Sequence, residues 1–398
     1  MLNLSIPSHI EPIRQKVLEF IEREVYPMES TLQESVGESR GEIMSGLMQK
    51  AKDAGLWALG HPEEIGGGGL PFMDYVFINE VVGRSEAASV ALGTHSLQDS
   101  IMLHRYANDQ WRDKYLKPLV DGEVFPSFGM TEPDVAGSDP TKLQTSAKLD
   151  GDEWVINGRK WFTSGAGHAA YTTVMVRTEP DAADHAAFSM IVVPTDTKGY
   201  NIIRDVKVMG AYDGHYEVDY DNVRVPKENL LGPRGQGFKI AQDRLGPGRI
   251  FHCMRWLGQA QRAFDLMCQR ANERVAFGKT LGEHQQIQKF IFDTAAEIQA
   301  SRLLTLHAAQ KIDQGDEARI EIGLIKVYGA TMLHNAIDRA IQVHGALGVT
   351  EDTPLERMYR HARFARIYDG ADEVHVMTTG RRILKTYADG GTFDFGLR

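Results

Sequence analysis

In EPIRQKVLEFIEREVYP, residues 11–27, the apolar positions Ile13, Val17, Phe20 and Ile21 return every three or four residues. That is the spacing of one helix face. EIMSGLMQKAKDAGLWAL (42–59) repeats the period, so the chain to about residue 120 reads as helical. EEIGGGGLPF (63–72) interrupts it with four glycines and reads as a flexible turn, with an anion cradle as the lesser alternative. From about 126 to 230 the texture changes. TSAKL and WVIN are two strands joined by a tight turn at Asp150–Gly151. YTTVMVRT, FSMIVVPT, YNIIRDVKV and YEVDYDNVRVP are short, rich in β-branched and aromatic residues, and bounded by Gly, Pro or Asp. Too little helix separates them for a parallel, doubly wound sheet.

From 236 the helical period returns in three stripes: Ile250, Met254, Leu257, Phe264 and Met267; Ile287, Ile291 and Ile298; Ile320, Leu324, Val327, Ile337 and Ile341. Long amphipathic helices of this kind pack on one another as a bundle. The pattern predicts an α+β multidomain chain. A helical domain spans 1–125, a β-sheet domain 126–235, and a helical bundle 236–398.

Composition changes this picture little. The 398 residues are 42% hydrophobic and 25% charged, ordinary for a water-soluble protein. The net charge of −10 argues against nucleic acid as a partner, because phosphate binding needs clustered Lys and Arg. No apolar run approaches the ~20 residues of a membrane span. MLNLSIPSHIEPIRQK resembles neither a signal nor a transit peptide, so the expected location is cytoplasmic. Cys253 and Cys268 fall in one expected helix, roughly 22 Å apart at ~1.5 Å per residue, too far to pair. Both read as buried thiols, neither has metal-ligand spacing, and no metal site is expected. SGAGHAA lacks the third glycine of a dinucleotide fingerprint. P-loop, zinc-protease and serine-hydrolase motifs are absent from the sequence.

Polar loops at the junctions carry the remaining chemistry. FGMTEPDVAGSD (128–139) offers small residues and hydroxyls that suit a polar ligand. INGRKWFTSG (156–165) sets aromatic rings beside hydroxyls. ERVAFGKTLGEHQQIQ (273–288), QVHGALGV (342–349) and RIYDGADEVH (366–375) complete the set. In this order the five segments resemble the acyl-CoA dehydrogenases, and the resemblance runs from about residue 10 to 390. RLGPGRI (244–250), with the DGADEVH ending, resembles the subgroup of human family members ten and eleven.

The resemblance implies the acyl-CoA dehydrogenase fold, with a barrel-like middle β-sheet domain and a C-terminal four-helix bundle, together with FAD and an acyl-CoA thioester of fatty-acid β-oxidation type. It places Phe128, Met130 and Thr131 along the flavin ring edge, with Gly137 and Ser138 at the end of the same loop and Ser138 also touching substrate. An ungapped count puts Phe162 over the flavin face and Ser164 on its N5. A shift of one would make these Trp161 and Thr163, and the strand register decides. Arg274 and Phe277 match residues that reach the FAD of a neighbouring subunit, Arg274 on the pyrophosphate. Leu281, His284 and Ile287 match further cofactor contacts, and Gln342, Gly345 and Ala346 the adenine part. These imply a homo-oligomer, a tetramer ahead of a dimer. The implied electron acceptor is an electron-transfer flavoprotein.

The family reaction makes an α,β double bond: a carboxylate takes the α-proton while the β-hydrogen leaves as hydride to flavin N5. Most relatives carry the base as Glu; that column here is Asp369. The alternative column of a minority falls on Gly248, beside the substrate-site match Arg249. Gly370 matches a substrate contact, and Ala371 and Glu373 match flavin contacts. Asp is shorter than Glu by about 1.5 Å. Taken alone, Asp369 also reads as a helix N-cap, and both roles are compatible. Two readings of the same fold compete, a nitroalkane oxidase and a desulfinase. A flavoprotein of the DNA-associated alkylation-response branch is disfavoured by the acidic charge.

Overall fold

The structure is a computed structural model that describes residues 5–35 and 37–394, without the side chains of residues 245–247. The outer ends of the first and last expected domains, residues 1–4 and 395–398, therefore lie outside the described residues. The chain forms two compact units. One comprises Met1–Leu56, Leu70–Leu92 and Gly246–Arg398, the other Trp57–Gly69 and Gly93–Leu245.

The first unit is helical. Glu11–Phe20 buries Val17 and Phe20, two of the four residues that set the opening stripe. Phe72–Val82 is buried nearly all round. The long helices are Gly237–Glu273, whose later part lies in this unit, Gln285–Asp313, Arg319–His344 and Asp372–Ala388. Ile250, Met254, Leu257 and Met267 are fully buried. Two glycines allow backbones to touch: a Cβ at Gly83 would lie 2.2 Å from Arg255 Cα, and one at Gly258 2.0 Å from Glu80 O. Cys253 is buried and Cys268 only half-buried, a correction to the expected pair of buried thiols.

The second unit is built on an eight-stranded sheet: β1 (Pro126–Gly129), β2 (Ser146–Asp150), β3 (Glu153–Ser164), β4 (Tyr171–Arg177), β5 (Phe188–Pro194), β6 (Tyr200–Val208), β7 (Ala211–Pro226) and β8 (Leu230–Leu231). The order is β6-β7-β3-β2-β4-β5-β8, with β1 parallel to β4. Strand alternation feeds two cores. Met175, Met190 and Val192 pack with Met102, Leu103, Trp111 and Tyr115 of the preceding helices. Val174, Val176, Ile191 and Val193 pack with Trp154, Val218 and Tyr220. This is the three-part helical, β, helical fold that the sequence pattern predicts.

Candidate active site

In the β unit, the ligand loop leaves β1 and is pinned to β3. Trp161 N–H donates to Thr131 O (3.0 Å), and Lys160 Nζ donates to Met130 O (2.9 Å) and to Glu132 Oε1 (2.8 Å). Glu132 also accepts the backbone N–H groups of Gln144 and Thr145, at 2.7 and 2.8 Å. The buried Lys160–Glu132 pair thus fixes the backbone on which Met130 and Thr131 stand. Phe128 is half-buried, its ring 4.5 Å from the Arg244 guanidinium carbon, and Asp99 holds Arg244 through both carboxylate oxygens. Gly137 and Ser138 are exposed farther along the loop. A Cβ at Gly137 would meet the Thr131 methyl at 3.0 Å, so the two loop ends adjoin.

The β3–β7 register slips between Lys160 and Thr163. Phe162 takes φ +48° there and remains 41% exposed. A bulge re-aims side chains in this way. Phe162 and Ser164 thereby face outward, while Thr163 is fully buried. Ser164 Oγ lies 2.8 Å from His215 Nδ1, and the His215 ring is 5.4 Å from that of Phe162.

In the helical unit, RIYDGA (366–371) is a tight loop between the helices Leu355–Ala365 and Asp372–Ala388, and DEVH is the first turn of the second. Asp369 (φ +54°) and Gly370 (φ +100°) are both left-handed. For a non-glycine residue this costs on the order of 1–2 kcal/mol, so the surroundings must hold it. They do so through the Asp369 carbonyl, which accepts from Arg249 Nε and from His375 Nε2, each at 3.2 Å. The Asp369 carboxylate lies 2.9 Å from His252 Nε2 and stays 24% exposed. Burial pushes the Arg249 guanidinium below its ordinary pKa against the pull of Asp369. Burial also pushes the His375 imidazole down to about 4.

The cap alternative for Asp369 does not hold: the N-cap residue is Ala371, with no side-chain cap bond. Asp372 starts the helix and is buried, paired with Lys326 (3.2 Å) and Arg366 (2.9 Å). Glu373 is exposed on the same turn, and Gly248 is buried in the long helix.

The other sequence-predicted residues gather elsewhere in this unit. Arg274 precedes a hairpin, Val275–Ala276 with Lys279–Thr280, whose tip is Phe277, 98% exposed. His284 lies 3.2 Å from Ala276 O and 6.3 Å, ring to ring, from Phe277, with half-buried Leu281 and Ile287 beside it in sequence. Gln342, Gly345 and Ala346 are exposed at the end of Arg319–His344.

Sequence reasoning passed over His252, Arg255, His375, Lys160 and Glu132. Arg249, His252 and Arg255 recur every third residue in the otherwise apolar stretch 249–257, and that polar stripe was the available signal. Among the described residues no His/Cys/Asp/Glu group could hold a metal, and no helix is long and apolar enough to cross a membrane.

Family models for the acyl-CoA dehydrogenase N-terminal, middle and C-terminal domains match residues 8–123, 127–223 and 235–384. The chain belongs to the acyl-CoA dehydrogenase family, oxidoreductases that use FAD. It is 48% identical to the probable acyl-CoA dehydrogenase FadE2 of Mycobacterium tuberculosis, over 85% of each chain. It is 39% identical to acyl-CoA dehydrogenase family member 11 of Gallus gallus over 92% of this chain and 49% of that one, spanning about half that relative's length. Its fold matches a solved Mycobacterium abscessus structure assigned to the acyl-CoA dehydrogenases, with TM-score 0.91, 37% identity, and 96% and 100% coverage. The residues fit a flat, polar heterocycle: the bulge exposes an aromatic face at Phe162, the Ser164 hydroxyl lies two residues on, and the loop of Thr131 is tied to the same strand.

Proposed function

We propose that the protein is an FAD-dependent dehydrogenase that converts an acyl-CoA thioester to its trans-2-enoyl-CoA, with Asp369 as the base. The observation that carries this reading is the Asp369 loop. A half-buried carboxylate sits on a strained backbone clamped by Arg249 and His375, with its side chain on His252. Strain of this kind persists where the structure over-determines a functional geometry. In the reaction the α C–H bond breaks, its proton goes to Asp369, and its electron pair enters the thioester enolate. FAD, when bound, supplies the acceptor for the β-hydride. Phe128, Met130, Thr131, Gly137, Ser138, Phe162 and Ser164 hold the cofactor in this reading, and Ser138, Arg249 and Gly370 meet the substrate.

The reading extends to a homo-oligomer, tetramer ahead of dimer, in which Arg274 and Phe277 serve a neighbouring subunit's FAD. It also assigns an electron-transfer flavoprotein as acceptor and a cytoplasmic location. The exposed Phe277 and the family membership support the first of these.

Anaerobic mixing with a panel of acyl-CoAs is expected to bleach the oxidised flavin band. Asp369→Asn should abolish bleaching while FAD stays bound. Bleaching by nitroalkanes and by no acyl-CoA would establish the oxidase reading instead.

A further inference from the structure

We propose that His252 is a positioning residue for Asp369 and that Arg255 sets the tautomer in which it works. This rests on the reading of Asp369 as the base. Arg255 Nη2 lies 2.9 Å from His252 Nδ1. A guanidinium can only donate, so Nδ1 accepts and carries no hydrogen. The ring hydrogen is then on Nε2, which lies 2.9 Å from Asp369 Oδ2, and in this proposal Nε2–H is the donor to that oxygen. The direction is therefore fixed from Arg255 through His252 to Asp369.

Each link has a structural support. Arg255 and His252 are one helical turn apart on Gly237–Glu273, where such side chains are neighbours. The Arg255 backbone is locked by its approach to Gly83. The His252 ring packs 5.3 Å from Tyr368, which takes a 2.7 Å hydrogen bond from Trp256 Nε1.

The arrangement answers the problem of the shorter acid. Asp369 has one torsion fewer than Glu, so its reach is set by its backbone and by rotation of the carboxylate. Arg249 and His375 fix the backbone through the carbonyl, and His252 fixes the rotation by holding Oδ2. In this proposal Oδ1 takes the proton. A neutral N–H donor orients the carboxylate without cancelling its charge, as a direct guanidinium pair would. A guanidinium would set a full positive charge beside the carboxylate and draw more basicity from the base.

The test uses the full FAD-loaded chain and a 3-thia-acyl-CoA, whose α-hydrogen is acidic and whose β-position is sulfur with no hydride to give. Exchange of its α-hydrogens into D2O, read by mass spectrometry, reports the base alone. His252→Leu is expected to slow exchange by about 10- to 100-fold, with the dissociation constant of the CoA ester and the FAD content unchanged. His252→Gln, whose amide N–H can replace Nε2–H, should recover most of the rate. A merely structural role would move affinity or FAD content and would not discriminate Gln from Leu.

Wild-type exchange in His252→Leu, or equal loss in Leu and Gln, overturns the proposal while leaving Asp369 as the base. Wild-type exchange in Asp369→Asn overturns both. Independently of turnover, ¹⁵N spectra of histidine-labelled protein should show His252 with an unprotonated Nδ1. They should show loss of that single form in Arg255→Leu. A protonated Nδ1 in the wild type overturns the assignment.

Discussion

Lys160 Nζ lies 2.8 Å from Glu132 Oε1, with Lys160 fully buried and Glu132 4% exposed. Burial pushes the Lys160 ammonium below its ordinary pKa in spite of Glu132. Burial alone would raise the Glu132 carboxyl, but Lys160 and the backbone donors outweigh it and hold it below the usual range. Removing one partner of such a pair costs about 3–5 kcal/mol, because a buried charge is left alone. Lys160→Met is expected to lower the urea midpoint accordingly and to release FAD. The double variant Lys160→Met with Glu132→Gln should recover much of the stability. A single variant as stable as wild type would show that the pair does not hold the loop.

Gly370 follows Asp369 at φ +100°, and a Cβ there would lie 2.7 Å from His375 Nε2. Gly370→Ala therefore adds backbone strain of about 1–3 kcal/mol and drives His375 off the Asp369 carbonyl. Displacing the base by ~1 Å can cost on the order of a hundredfold in rate. The expected result is a fall of that size in kcat for flavin reduction, with a smaller effect on acyl-CoA affinity. Equal kcat in the variant would mean that the loop tolerates a side chain and that the clamp on Asp369 is slack.

The three-part architecture was legible because each part has its own apolar period. Some strand edges were legible from Gly, Pro and Asp, but β3 runs past WVIN to Ser164, β7 begins at Ala211 ahead of YEVDYDNVRVP, and β1 and β8 were not read as strands. The stripe on Arg319–His344 was read less well. Ile320, Leu324 and Val327 are only half-buried, while Ile322, Ile325, Gly329 and Ala330 are buried. The reason is chemical: Lys326 and Glu321 are also buried, one paired with Asp372 and the other with Lys311, so polarity masks the true face. The motif singled out Asp369, but neither its strained φ nor its 2.9 Å approach to His252 was legible. Both depend on partners more than a hundred positions away or on backbone shape, which no local pattern encodes. The Phe162/Trp161 ambiguity was a question of register. The bulge exposes Phe162 and Ser164 and buries Thr163, an outcome a strict two-residue period cannot foretell.

His61 and His375 are buried and each is held down to about 4 by that burial. An unfolded histidine takes its proton near 6.5. Between pH 6.5 and about 4 the unfolded chain thus binds more protons, so stability falls as pH falls through that window. The slope from each group approaches about 1.4 kcal/mol per pH unit. Denaturation free energies measured from pH 7 to 4 should decline on this account, and His61→Gln and His375→Gln should each flatten the decline. Parallel pH curves for wild type and both variants would assign the acid sensitivity to other groups.

Phe277 and Gly278 form a two-residue hairpin tip with φ +52° and +79°. That turn favours Asn-Gly or Gly-Gly, and a bulky side chain there is strained. Phe277 is 98% exposed, so its own chain gives it almost no burial to offset the strain. Replacing it should leave the stability of the single chain unchanged to within about 0.5 kcal/mol, as for other exposed sites. If the ring instead serves the FAD of a second copy, the loss falls on cofactor binding. Phe277→Ala is expected to fold with a wild-type circular dichroism melt in the FAD-free state, yet to retain less FAD after gel filtration. The FAD-loaded species should also shift to smaller mass. Full FAD retention at unchanged mass would separate Phe277 from the cofactor and leave the strained tip without a ligand to explain it.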